Sequence, residues 1–245
     1  NTTASNNTAV GYQAGYNNTT GTANNYFGAQ AGYSGVTVNG VTAFGHNALK
    51  ANTASDNTAF GYLALFYNTT GTNNTAVGGG AYGADGAALQ NNTTGSYNTA
   101  LGHRALQANT TASYNTAVGY QASYGNTTAN STTAFGYQAN YTGQTSGNGG
   151  STVVGYQAAY SNQNQNDAFG YQALNATTTG TANVALGFQS LNSNTTASNN
   201  TAVGYQSGYT GATNTGVAAF GYQALYNSTG NDNAAFGAQA LKANT

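Results

Sequence analysis

Side chains that do chemistry are few in this sequence and stand far apart. Four acids (Asp56, Asp85, Asp167 and Asp232), two histidines (His46 and His103) and three lysine or arginine residues are spread over 245 residues. Glycosidase chemistry needs two carboxylates flanking one bond. No spacing here brings two together, so the acids read as solvated turn residues. A zinc site needs several His, Cys or carboxylate ligands at close spacing. The chain has no cysteine, and its two histidines lie more than three repeats apart without an accompanying acid. Gly83-Ala84-Asp85-Gly86 is a single copy of a Gly/Asp pattern that calcium-binding solenoids carry in every coil. Lys50 and Arg104 read as lone surface charges. With no phosphate loop, nucleophile elbow or zinc helix motif, the sequence predicts no catalytic residue, cofactor or metal site, and no enzyme.

One motif does recur. Asn-x-Ser/Thr occurs at Asn1, Asn6, Asn73, Asn130 and Asn199 and at Asn17, Asn18, Asn68, Asn91, Asn92, Asn109, Asn126, Asn175, Asn194 and Asn227, and the last ten are the candidate acceptors for N-linked glycans. Thr clusters at Thr69-Thr70, Thr93-Thr94, Thr127-Thr128 and Thr177-Thr178-Thr179 are the O-linked alternative. Chance sequons are common in so Asn- and Thr-rich a chain. Several nevertheless fall in turns, where sugar would give solubility to a nearly uncharged surface.

The elements that must carry these residues follow from a repeated phrase. Asn-Thr-Ala-Val-Gly-Tyr-Gln-Ala stands at Asn7–Ala14 and again at Asn115–Ala122, with a near copy at Asn200–Ser207. Its glycine anchors a series at Gly11, Gly28, Gly45, Gly61, Gly78, Gly102, Gly119, Gly136, Gly155, Gly170, Gly187, Gly204, Gly221 and Gly237, with a dominant step of 17. A step of 24 marks an insertion around 83–91, and a step of 19 an enlarged loop at 143–150. The residue before the glycine is always Val, Phe or Leu, and the one before that is Ala except at Tyr26 and Val153. Tyr often follows the glycine, then Gln, then Ala or Ser, and often Leu.

A period of 17 holds no helical stripe, and each copy is punctuated by Gly and Asn-Thr-Thr-Gly. Short β-branched and aromatic runs between such turns read as strands. The expected fold is all-β: a parallel β-solenoid or β-roll of about 14 coils, one continuous array over residues 1–245. Each coil is expected to hold two strands of about five residues. The bulky residue should fill the core, the glycine should mark a bend or a close approach where no Cβ fits, and the Gln and Tyr columns should form axial ladders. The Asn that opens each phrase should occupy a left-handed turn. One large side chain per coil contributes about 1.5–3 kcal/mol, too little to order a coil alone. The roll should therefore be thin and completed by lateral self-association, as a trimer or polymer.

Composition excludes other partners. Only 3% of residues are charged and the net charge is -1, which gives no basic track for nucleic acid. No run of about 20 apolar residues suggests membrane insertion. No leader is visible, and the tail Leu241–Thr245 matches Leu49–Thr53, so the chain reads as a window on a longer array or as a mature chain.

The phrase resembles the head repeats of trimeric autotransporter adhesins, which read roughly Asn-Ser-Val-Ala-Ile-Gly before a small-residue strand. It is also similar to repeats in phage and environmental bacterial fibre proteins. The resemblance runs from Asn7 to Ala240. It implies a left-handed parallel β-roll with three chains side by side on a cell surface or virion. The period here is longer than the adhesins', and Tyr-Gln after the glycine is a difference. No binding residues carry over. The expected function is a structural repeat of an extracellular fibre or stalk. The alternatives are an adhesin head or tail-fibre module in which Tyr columns stack on sugars, and an ice-binding solenoid, since Thr recurs two residues before the bulky position.

Overall fold

The computed structural model describes residues 3–81, 86–143 and 149–243. These group into two compact units, Asn1–Asn130 and Ser131–Thr245. In the first, β1 (Thr8–Val10), β2 (Asn25–Phe27), β3 (Thr42–Phe44), β4 (Thr58–Phe60), β5 (Thr75–Val77), β6 (Thr99–Leu101) and β7 (Thr116–Val118) follow in order. Each pairs in parallel with the next, so that Ala43 faces Ala59 and Phe44 faces Phe60. The second unit repeats this with β8 (Thr133–Phe135), β9 (Thr152–Val154), β10 (Asn166–Phe169), β11 (Asn183–Leu186), β12 (Thr201–Val203), β13 (Ala218–Phe220) and β14 (Ala234–Phe236). The fold is a parallel β-solenoid with one strand per repeat.

Each coil thus has one strand of three or four residues, not two of five. The rest of the coil turns through left-handed residues. Gln and Leu of the phrase both sit there, for example Gln172 (φ 52° at its neighbour Leu174, 51° at Gln172 itself). A left-handed non-glycine residue costs about 1–2 kcal/mol, and what offsets it is bonding to the next coil. Gln189 N, for instance, donates to Tyr171 O at 2.8 Å, and Leu191 N to Ser207 O at 2.9 Å. The left-handed residue at strand entry is not the phrase's Asn but the one before it, as at Asp56, Tyr97, Tyr114 and Asn199.

The core also differs from expectation. In a three-residue strand only the middle side chain points inward, and that residue is Ala. Ala43, Ala59, Ala76, Ala100 and Ala117 are fully buried in the first unit, as are Ala134, Ala168, Ala185, Ala202 and Ala219 in the second. Facing them across the coil is the Leu column: Leu49, Leu65, Leu89, Leu106, Leu174, Leu191 and Leu225. The bulky residue before the glycine points out. Phe44 is 52% and Leu186 48% exposed. Where the layer pairs one Leu with one Ala, a phenylalanine on the strand would overfill it; Ser123, Asn140, Ala159 and Gly208 take the Leu place in other layers.

Tyr26 shows how tight this pairing is. It occupies the inward Ala position and is 1% exposed. The Leu column makes room: Gly15 and Gly32 stand there in the first two coils, and a Cβ on Gly15 would lie 2.5 Å from the Tyr26 ring, with the one on Gly32 overlapping it. The Tyr26 hydroxyl has no hydrogen-bond partner among the described residues, and burial pushes its ionisation well above the usual tyrosine range. Tyr26→Ala should cost about 3–5 kcal/mol for the cavity it leaves, and Gly32→Leu alone should be as damaging through overlap. The double variant restores the pattern of later coils and should recover most of the loss. A urea-denaturation double-mutant cycle measures that coupling, and additive losses would refute the pairing.

The first insertion leaves the coil between Gly78 and Ala88. Ala88 N donates to Gly78 O at 2.9 Å, as Ala105 N does to Gly102 O at 3.2 Å in an ordinary coil. Leu89, Gln90 and Asn91 therefore belong to the regular coil rather than to the insertion. Gln90 Oε1 accepts from Gly86 N and Ala87 N at 2.8 and 3.1 Å, closing the loop's return. Asp85, most of its Gly/Asp motif, and residues 144–148 of the second loop lie outside the described residues.

Candidate functional site

The interior carries two kinds of buried asparagine, one bonded along the solenoid axis and one that holds its own turn, in places with an axial bond as well. The first opens each phrase. Its Oδ1 accepts the backbone N–H of the equivalent residue one coil on, and its Nδ2 donates to a corner carbonyl. Asn74 takes Asn98 N at 3.0 Å and gives to Gly95 O at 2.8 Å. Asn200 takes Val217 N at 2.8 Å and gives to Asn214 O at 2.7 Å. The second is the Asn of Asn-Thr-Thr-Gly, which clamps its own turn and its neighbour. Asn92 Nδ2 donates to Gly95 O at 2.9 Å and to Asn68 Oδ1 at 2.7 Å.

This settles where the sequons stand. Asn18, Asn68, Asn92, Asn109, Asn126 and Asn194 are these corner clamps, each at most 3% exposed with Nδ2 hydrogen-bonded inside. A glycan on any of them would have to displace the corner. The Asn175 amide donates to Gln157 O at 2.9 Å. Asn17 and Asn91 are half-exposed and Asn227 is exposed. Recurrence of Asn-Thr-Thr-Gly at one place in the period was the sign of a structural corner. The following Thr hydroxyl also bonds axially, as from Thr69 to Thr93 O at 2.9 Å.

The scattered charges stay scattered. Asp56 and Asp232 occupy left-handed turns, whereas Asp167 lies on β10, where its Oδ1 accepts Thr152 N at 2.8 Å. Lys50 and Lys242 rest over the rings of Phe66 and Tyr226 at 5.8 and 5.9 Å. His46 and His103 take Tyr positions and stack on Tyr62 and Tyr120 at 5.5 and 5.6 Å. Burial first, then the Arg104 guanidinium, hold His103 below the usual histidine range. Among the described residues no three His, Cys, Asp or Glu gather as a metal site, and no helix is long and apolar enough to cross a membrane.

What each unit presents outward is columns. The apolar column before the glycines stacks where it is aromatic, with Phe27–Phe44 at 5.5 Å, Phe44–Phe60 at 5.7 Å and Phe220–Phe236 at 5.0 Å. After the glycines runs the ring column Tyr137–Tyr156–Tyr171–Phe188–Tyr205–Tyr222, with centroids 5.0–5.4 Å apart and planes within 16° of parallel. Beside it the Gln ladder is continuous from Gln138 to Gln223, with Nε2–Oε1 distances of 2.9–3.2 Å. Because ring faces cover one another, the tyrosines offer solvent their edges and hydroxyls. Sugar stacking, which needs a free face, has only the terminal rings of each ladder to use. The Thr column is unbroken over Thr42, Thr58, Thr75, Thr99 and Thr116 in the first unit, but Asp167, Val184, Ala218 and Ala234 interrupt it in the second.

Fold and surface together define a charge-poor parallel β-solenoid with polar ladders inside and aromatic ladders outside. No family model, no curated protein and no solved structure matches the chain.

Proposed function

We propose that this chain is a structural repeat module of an extracellular fibre or stalk that associates side by side with further copies of itself. The observation that carries this reading is the outward apolar column. Monomeric soluble proteins rarely expose long contiguous apolar patches, and this one recurs at every coil, with Phe135 at 55% and Phe169 at 38% exposure. Charged residues that would keep two such faces apart are only 3% of the chain. Three chains side by side is what the resemblance to adhesin heads implies, and association on this face would cover the bulky side chains that the interior of a lone coil does not hold.

Sedimentation of the purified chain should give a trimer or larger assembly. Phe169→Ser with Phe220→Ser should shift it to monomer while the circular dichroism of the β-fold is retained, because these side chains lie outside the core. A folded, monodisperse wild-type monomer would overturn the proposal. Where the fibre carries N-linked sugar, the folded chain offers Asn17, Asn91 and Asn227 among its sequons. An intact mass equal to the bare polypeptide would remove that part of the reading.

A further inference from the structure

We infer that the tyrosine ladders are sites of oxidative cross-linking, in which consecutive coils of one chain become joined by dityrosine bonds. Seven ring pairs are tyrosine on both sides and stacked coil to coil, with centroids 4.7–5.5 Å apart and planes within 16° of parallel. They include Tyr137–Tyr156, Tyr156–Tyr171, Tyr205–Tyr222 and Tyr209–Tyr226. Several of these rings are 42–63% exposed, so an oxidant reaches them and a side chain has room to swing about its χ angles on the fast timescale of surface rotamers.

The rest of the sequence directs oxidation to the same place. Cysteine and methionine are the side chains that oxidants ordinarily attack first. This chain has neither, nor any tryptophan, but it has 20 tyrosines. The phenols are therefore its most oxidisable groups, and the solenoid holds them in neighbouring pairs.

The chemistry balances with a peroxide as oxidant and a haem peroxidase as its catalyst. Each of two adjacent phenols gives up one electron and its hydroxyl proton. The two phenoxyl radicals couple through one ring carbon ortho to each oxygen, and the hydrogens on those carbons move to the oxygens as the rings regain aromaticity. The protein loses two hydrogen atoms per link. The peroxide takes up two electrons and two protons and leaves as two waters.

The ladder also says where links cannot form. Phe188 stands between Tyr171 and Tyr205, stacked at 5.0 and 5.1 Å on either side. It has no phenol to oxidise, and the two tyrosines are two rungs apart. Links should therefore form on each side of this rung and not across it.

The test is to treat the full chain, dilute enough to suppress contact between molecules, with hydrogen peroxide and a haem peroxidase, and to map the products by intact mass and tandem mass spectrometry. The expected result is a monomer lighter by two hydrogens per link, with links at ladder neighbours such as Tyr205–Tyr222 and none joining Tyr171 to Tyr205. Phe188→Tyr, which keeps a ring in the column, should add links to residue 171 or 205. Tyr205→Phe should remove the link to Tyr222. Unfolding in urea before oxidation should lower the yield of ladder-neighbour links at least tenfold. Equal yields of those links from folded and unfolded chain, oxidation that leaves the monomer mass unchanged, or cross-linking only between molecules would each overturn the inference.

Discussion

Gly187→Ala is expected to unfold the coils around it. Gly187 has φ 137°, a region that residues with a Cβ avoid, and its own Cβ would overlap the Gly204 carbonyl oxygen and fall 2.7 Å from the carbonyl carbon. Strain at such a backbone position costs about 1–3 kcal/mol. Overpacking adds about 1–3 kcal/mol, here against backbone that a neighbouring ladder pins in place. The expected loss is about 2–6 kcal/mol, a large share of the total for an ordinary domain. Urea denaturation followed by circular dichroism measures it. A loss under about 1 kcal/mol would show that the spacing between coils relaxes easily, and that the glycine column is not what sets it.

Asn200→Ala should be nearly as damaging for the opposite reason, because it removes bonds instead of adding atoms. Asn200 is 1% exposed. Its loss leaves Val217 N–H and Asn214 C=O buried without the partners that now lie 2.8 and 2.7 Å away. Each orphaned group costs about 1–3 kcal/mol, giving about 2–6 kcal/mol in all. Asn200→Asp distinguishes hydrogen-bond loss from simple packing. Its carboxylate still accepts from Val217 but turns a second negative oxygen toward Asn214 O, and a buried unpaired charge is expensive. Burial raises the carboxyl's folded pKa above its unfolded value near 4. The penalty is thus in full force above the raised folded pKa. It falls as pH drops through that value, and is gone below the unfolded one, where the protonated group donates to Asn214 as the amide did. Stability of this variant relative to wild type should therefore rise on acidification. A flat profile would mean the position is hydrated in the folded state.

The period, the parallel coils, the bend glycine and the Gln and Tyr ladders were legible in the sequence, because stacking forces each column to keep one identity. Facing was harder to read. A strand of three residues is too short to show alternation, so Phe and Val before the glycine looked like core when the Ala ahead of them was. The clue lay in volume exchange between columns: the copy with inward Tyr26 carries Gly32 in the Leu column, and the copy before it carries Gly15 there. Left-handed Gln and Leu had no local signal, since neither residue favours that backbone and only bonds to the next coil hold it there. The sequons were ambiguous in the sequence for a related reason. Asn-Thr-Thr-Gly has the spelling of a modification motif and the place of a corner clamp, and its recurrence at one phase of the period separates the two.

The axial direction of these bonds has a mechanical consequence. Within each unit, backbone ladders, asparagine staples and glutamine amides all run from one coil to the next, while few side-chain bonds cross a coil. Tension applied to the two ends of a unit loads the outermost coil first, and its bonds yield one after another as a zipper does. Each released repeat of 17 residues frees roughly 56–61 Å of chain. Pulled in this way, such a unit is expected to give way stepwise, with work dissipated at every coil, instead of failing all at once.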